Sequence, residues 1–174
     1  MHPPRLRIGV DMKTMRLSAC ASFVASLLAV AMTVTLSAQG ADPFMGMWKM
    51  NVTKSTFSPG PAPKSGSVTF TAAGTGFSAV IEGVGAKDEK VRWEYTGAYG
   101  GPDAPVKGNP DGDMVSVSRI SANMVQTTLK KAGKTTVVNT RTVSADGKTM
   151  TVTTKGTNAQ GQAVHNVQVF EKSK

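Results

Sequence analysis

From position 41 onward, apolar and polar residues alternate with period two over short stretches rich in Val and Thr, and nowhere with the three-to-four spacing of an amphipathic helix. The alternation predicts ten strands, at about 44–51, 66–73, 76–84, 89–98, 104–107, 113–121, 123–131, 134–144, 148–157 and 162–172. Between them stand Ala73-Gly74-Thr75-Gly76, Ser121-Ala122-Asn123, Ala132-Gly133, Ala145-Asp146-Gly147 and Ala159-Gln160-Gly161. Such short links leave no room for crossover helices, so consecutive strands pair as antiparallel hairpins. A meander of this many strands in one small domain predicts closure into an up-and-down barrel, because closure removes the exposed edges of an open sheet; a β-sandwich is the alternative. One irregular segment, Thr53 to Ser65, carries Ser58-Pro59-Gly60-Pro61-Ala62-Pro63 and is expected to be a stiff, strandless strap across a barrel end.

The preceding residues follow a different pattern. Lys13 and Arg16 lead into Leu17 to Leu36, a run without a charged residue, and small residues close it at Ala38-Gln39-Gly40. This is the layout of a Sec-type signal peptide, with cleavage expected before Ala41 or, alternatively, before Gln39. Met12 and Met15 are alternative starts. A retained anchor is the competing reading, since the run is about as long as the roughly 20 residues that span a bilayer. Leu17-Ser18-Ala19-Cys20 imitates a lipobox, but Cys20 precedes most of the apolar run, where a lipobox cysteine follows it. The chain therefore divides into an extension with signal peptide at 1–40 and one barrel domain at 41–174, periplasmic or secreted, without a stable membrane span after cleavage.

At the start of the domain, Phe44-Met45-Gly46-Met47-Trp48-Lys49-Met50-Asn51 resembles the Gly-x-Trp first-strand motif of the calycins, the superfamily of lipocalins and intracellular fatty-acid-binding proteins. Val167-Gln168-Val169-Phe170-Glu171-Lys172 looks like the closing strand of fatty-acid-binding proteins, and the whole domain is similar to secreted bacterial lipocalin-like domains. The resemblance implies a calycin-like barrel in which Gly46 and Trp48 form the structural motif, with Trp48 closing one end against Phe44 or Met50. It also implies departures. Gln168 and Phe170 stand where fatty-acid-binding proteins place an Arg-x-Tyr pair for a carboxylate, the proline strap stands where they carry two helices, and the second lipocalin motif, Thr-Asp-Tyr, is missing.

Charge and composition narrow the chemistry. Of 174 residues, 20 are Lys or Arg and 11 Asp or Glu, with two His and one Cys. After cleavage no cysteine remains, which excludes disulfides and thiolate chemistry. His165 is then the sole histidine and is expected on the surface, with no ligand set for zinc and no triad. Asn109-Pro110-Asp111-Gly112-Asp113 opens like a calcium loop but lacks the downstream bidentate Glu, so it reads as a tight turn. Asn51-Val52-Thr53 matches a glycosylation sequon of the kind common by chance. Lys130, Lys131 and Lys134 cluster at a hairpin without interleaved aromatics, which argues against nucleic acid.

Candidate ligand-binding residues lie within strands. Val91, Trp93 and Tyr95 share a face that points inward if the barrel closes, as packed core or pocket wall. Arg119 and Arg141 sit mid-strand; an inward arginine must be paired or wetted and would favour an anionic or polar ligand. For Arg141 the alternation leaves the face open, and for Gln168 and Phe170 only the family alignment places them inside. The expected function is a monomeric, non-catalytic barrel binding a small apolar or amphipathic molecule, without cofactor or metal. The alternative is a structural or interaction protein of the cell envelope with a filled barrel, and an enzyme is the least favoured class.

Overall fold

A computed structural model describes residues 41–173. The expected signal peptide, the expected cleavage before Ala41 or Gln39, the alternative starts and Cys20 lie outside or at the edge of the described residues. Ten strands follow in order: β1 (Gly46–Thr56), β2 (Ser65–Ala73), β3 (Gly76–Val84), β4 (Lys90–Gly97), β5 (Ala104–Lys107), β6 (Met114–Ser121), β7 (Met124–Lys131), β8 (Lys134–Val143), β9 (Thr149–Thr157) and β10 (Ala163–Lys172). Each pairs antiparallel with its sequence neighbours, and β1 pairs with β10, for example Met50 with Phe170, to close the barrel. Among the described residues this is the closed, all-β, up-and-down barrel without helices that the alternation implied; the sandwich is excluded.

The period-two pattern becomes an inside and an outside. Along β8, Val137, Asn139, Arg141 and Val143 are buried while the residues between them are half-buried, which settles the face of Arg141 as inward. The same rule turns Trp48, Phe70, Phe77, Tyr95, Val115, Val117, Leu129 and Met150 into one core. Hairpin geometry follows from the turn residues: Ala132 and Gly133 both have positive φ, 49° and 76°, the two-residue turn whose twist matches the paired strands. The short β5 is the thinnest part of the wall, holding β4 through Glu94 with Lys107 and Tyr95 with Val106, and β6 through Ala104 with Val115 and Pro105 with Met114.

One expectation needs correction. The proline pattern predicts a strandless segment from Thr53, yet β1 continues to Thr56. A bulge between Asn51 and Thr56 shifts the register against β10. Ser55 bridges the irregularity by donating to the Asn51 carbonyl (2.7 Å) and accepting from the Val169 amide (3.0 Å), so the ladder survives the extra residues. Only at 57–64, where the prolines begin, does pairing stop. This strap is tied to β10 by the Ser58 amide on Asn166 Oδ1 and the His165 amide on the Ser58 carbonyl, and to β3 by the Lys64 amide on the Val84 carbonyl.

One barrel end is sealed. Phe44 tucks into the core at 2% exposure and its carbonyl accepts the buried indole N–H of Trp48 at 2.8 Å. Lys172 Nζ lies 4.9 Å over the Trp48 ring and donates to the Pro43 carbonyl. Gly46 has φ +104°, a conformation L side chains rarely adopt, and it turns the chain from this plug into β1.

A candidate ligand-binding cavity

Above the plug the aromatic core rises in steps. Tyr99 packs on Phe77 (ring centroids 5.0 Å apart), Phe77 meets Tyr95 edge to face (6.0 Å), and Tyr95 stacks under Trp93 (6.0 Å). Phe70 meets Phe77 edge to face at 5.8 Å. These rings fill the barrel on the plug side. Beyond Trp93 the packing gives way to a cavity of about 220 Å³. Its apolar wall is Met50, Val68, Ile81, Trp93, Val152 and Phe170, Pro63 of the strap reaches it, and Asn139, Arg141 and Gln168 supply polar groups.

Arg141 dominates the electrostatics. It is 5% exposed, and its single side-chain hydrogen bond among the described residues runs from Nη1 to Thr127 Oγ1 at 2.9 Å. Every ion pair among those residues involves other groups, so no described carboxylate neutralises it. The Phe70 ring, 5.7 Å from the guanidinium carbon, is its closest aromatic compensation. Taking a cation out of water without a counter-charge costs several kcal/mol, and a guanidinium has five N–H donors in a fixed fork. Most of that donor capacity is unspent on described protein acceptors.

The neighbours have spare capacity as well. Asn139 accepts from Thr154 Oγ1 at 2.7 Å, which leaves its amide N–H₂ uncommitted among the described residues. The buried Tyr95 hydroxyl has no hydrogen-bond partner there. Burial pushes the Tyr95 phenol above its ordinary value, and Arg141, through its positive charge and the closeness of its N–H groups to the hydroxyl, pulls it partly back. Arg141 and the Asn139 amide thus offer uncommitted donors, and the acid at the rim, Glu82, is engaged with Arg92 at 2.5 Å. An apolar wall with a donor-rich, cationic floor is suited to holding an anionic group with an apolar body attached. No cluster of three or more His, Cys, Asp or Glu capable of holding a metal occurs among the described residues.

The structure gathers four of the six sequence candidates, Trp93, Arg141, Gln168 and Phe170, around this cavity. Tyr95 lies in the packed layer beside it. Arg119 faces inward and is paired, as an inward arginine must be, but it lies at the sealed end and does not line this cavity. Its Nη2 pairs with Asp42 Oδ2 at 2.5 Å, its Nη1 donates to the Ala122 carbonyl, and it stacks on Tyr99 with the guanidinium carbon 3.9 Å from the ring centre. Tyr99 donates to the same Asp42 oxygen at 2.8 Å. Burial and this bond push the Tyr99 phenol well above its ordinary range. Arg119 pairs with Val125 and Val125 with Arg141, yet that row runs obliquely to the barrel axis, so the two arginines meet different surroundings.

Sequence reasoning did not single out Asn139, Ile81, Val152 or the Gly66–Gly83 pair. The signal was present: Asn139 shares parity with Arg141, and Ile81 faces Trp93 across β3 and β4. The acidic turn is also explained by local bonding. Asp111 accepts the Ala159 amide, Asp113 the Ala132 amide, and Asn109 the Asp111 amide, so these side chains brace loops. His165 is exposed on β10.

No protein-family model matches the sequence, and no curated protein matches it. Among solved structures, one similar chain is the zebrafish ileal bile acid-binding protein complexed with cholic acid. It is 14% identical, with 75% of this chain and 99% of that chain covered and a TM-score of 0.43. The barrel assignment stands on the strand pairing of the chain itself.

Proposed function

We propose that this chain is an exported, monomeric, non-catalytic binding protein for a small amphipathic anion, working in the periplasm or outside the cell. The observation that carries the reading is Arg141: a buried guanidinium without a described counter-charge, at the floor of an otherwise apolar cavity. A bound acid offsets the desolvation of that cation and accepts its unused N–H groups, while the apolar body packs on Trp93, Phe170 and Ile81. The filled-barrel alternative fits only the plug side, where the aromatic ladder closes the interior.

Calorimetric titration with a straight-chain carboxylate and with the alcohol of the same length tests the reading. The carboxylate is expected to bind at least about tenfold more tightly, the equivalent of one good charge-assisted hydrogen bond. Equal affinity for the two, or no saturable binding of either, rejects it.

A further inference from the structure

The cavity is small for an amphiphile. At roughly 30 Å³ per water-sized group, 220 Å³ holds an acidic head and a short stub of chain, and it falls below the roughly 300–1,000 Å³ of pockets that enclose larger ligands. Beside it, however, lies an open groove of about 590 Å³. Met50, Gly66, Gly83 and Val91 on the inward face line both spaces, as do Ser65, Ser67, Glu82 and Val84 on the opposite face, whereas Lys49, Lys90 and Arg92 line only the groove. The groove therefore crosses the lip of the barrel and continues the cavity to the exterior.

We propose that Met50 is the specificity-determining gate between the two spaces and that the ligand occupies both, its acidic head on Arg141 and its tail running past Met50 into the groove. This rests on the anion-binding reading above. Three features of the passage support it. Gly66 and Gly83 are cross-strand partners, so the wall there has no side chains. Met50 uses the bare surface: a Cβ at Gly66 would stand 2.7 Å from Met50 Cε and 3.5 Å from its Sδ, so the thioether end rests directly on the glycine backbone. Methionine is unbranched and adaptable, and its end can swing without moving the strand. Finally, Val91 shares the inward face with Trp93 and is nonetheless 39% exposed, an apolar step at the lip where a tail would lie.

The test is a chain-length series, hexanoate through hexadecanoate, titrated calorimetrically into the wild-type protein and into Val91→Asp, Met50→Phe and Arg141→Met, each verified as folded by its far-ultraviolet spectrum and melting curve. For the wild type, affinity is expected to keep rising beyond octanoate, by up to roughly fourfold per added methylene that becomes buried. V91D and M50F are expected to weaken every acid, and to weaken dodecanoate at least about fivefold more than they weaken hexanoate. A plateau from octanoate onward, or equal effects of both variants on short and long acids, would overturn the gate and leave the Arg141 site standing. Failure of every acid to bind, or undiminished binding in R141M, would instead overturn the reading on which the gate rests. V91D lies on an exposed lip, so the test stands even if M50F does not fold.

Discussion

Replacing Arg141 with Met separates what the guanidinium does for the fold from what it does for a ligand. In the free protein Arg141 is 5% exposed, has one described side-chain hydrogen bond, to Thr127, and pairs with no described carboxylate. Its desolvation costs several kcal/mol, and methionine, which keeps an apolar stem but lacks the guanidinium, removes that cost. Against this gain, the Thr127 hydroxyl, 1% exposed, loses its partner at a cost of about 1–2 kcal/mol. The net expectation is a free protein more stable by about 1–2 kcal/mol, which for a domain of this size raises Tm by roughly 3–8 °C. Adding Thr127→Val removes the orphaned hydroxyl and is expected to raise Tm further. Binding moves in the opposite direction: truncating one member of a buried charge pair costs about 2–5 kcal/mol, at least about thirtyfold in Kd for a carboxylate. Calorimetric melting with and without ligand reads both effects. If R141M lowers Tm of the free protein by several degrees and leaves carboxylate affinity intact, Arg141 is a structural residue and the argument from its missing counter-charge is wrong.

Other parts of the molecule make independent predictions. The two tyrosines of the chain, Tyr95 and Tyr99, are both raised above the ordinary 10.0 by burial, Tyr99 further by Asp42. A raised folded-state value means that the stability these phenols contribute is intact below pH 10 and lost as pH climbs through the folded values. Phenolate absorbance is thus expected to show no step near pH 10 and to appear with unfolding at higher pH; half the signal titrating at 10 would contradict the burial argument. At the sealed end, Arg119→Gln breaks a pair whose side chains are only 29% and 21% exposed and is expected to cost about 2 kcal/mol in urea unfolding, with carboxylate affinity unchanged within about twofold. Gly156 has φ +148°, and a Cβ there would stand 2.0 Å from the Thr136 carbonyl oxygen. Gly156→Ala is expected to be the most damaging single methyl in β9, detectable as loss of soluble folded protein or a Tm lower by at least about 10 °C.

The fold was largely legible because a barrel's inside and outside are written at period two and its turns in Gly, Asn and Asp. Strands such as Gly76–Val84 and Ala104–Lys107 sit where alternation and punctuation put them. The end of β1 was harder to read, since a bulge admits extra residues that break the alternation while Ser55 keeps the ladder bonded. Placement of the site was half legible. Alternation shows that Arg119 and Arg141 face inward only once a face is fixed, and it cannot show that strand tilt carries one to a plug and the other to a cavity. That difference depends on Asp42, far away in sequence, which supplies Arg119 with its counter-charge, and on the absence of such a partner for Arg141 among the described residues. The Gly66–Gly83 notch was equally hidden, because a glycine within a strand reads as weakness until its cross-strand partner is known.

The most direct test of the account is a crystal structure of the protein grown with dodecanoate. The account predicts a single acid molecule per barrel, its carboxylate within hydrogen-bond reach of Arg141 and its chain leaving beside Met50. A barrel whose upper interior holds only side chains and water, or an acid bound with its carboxylate away from Arg141, would contradict it.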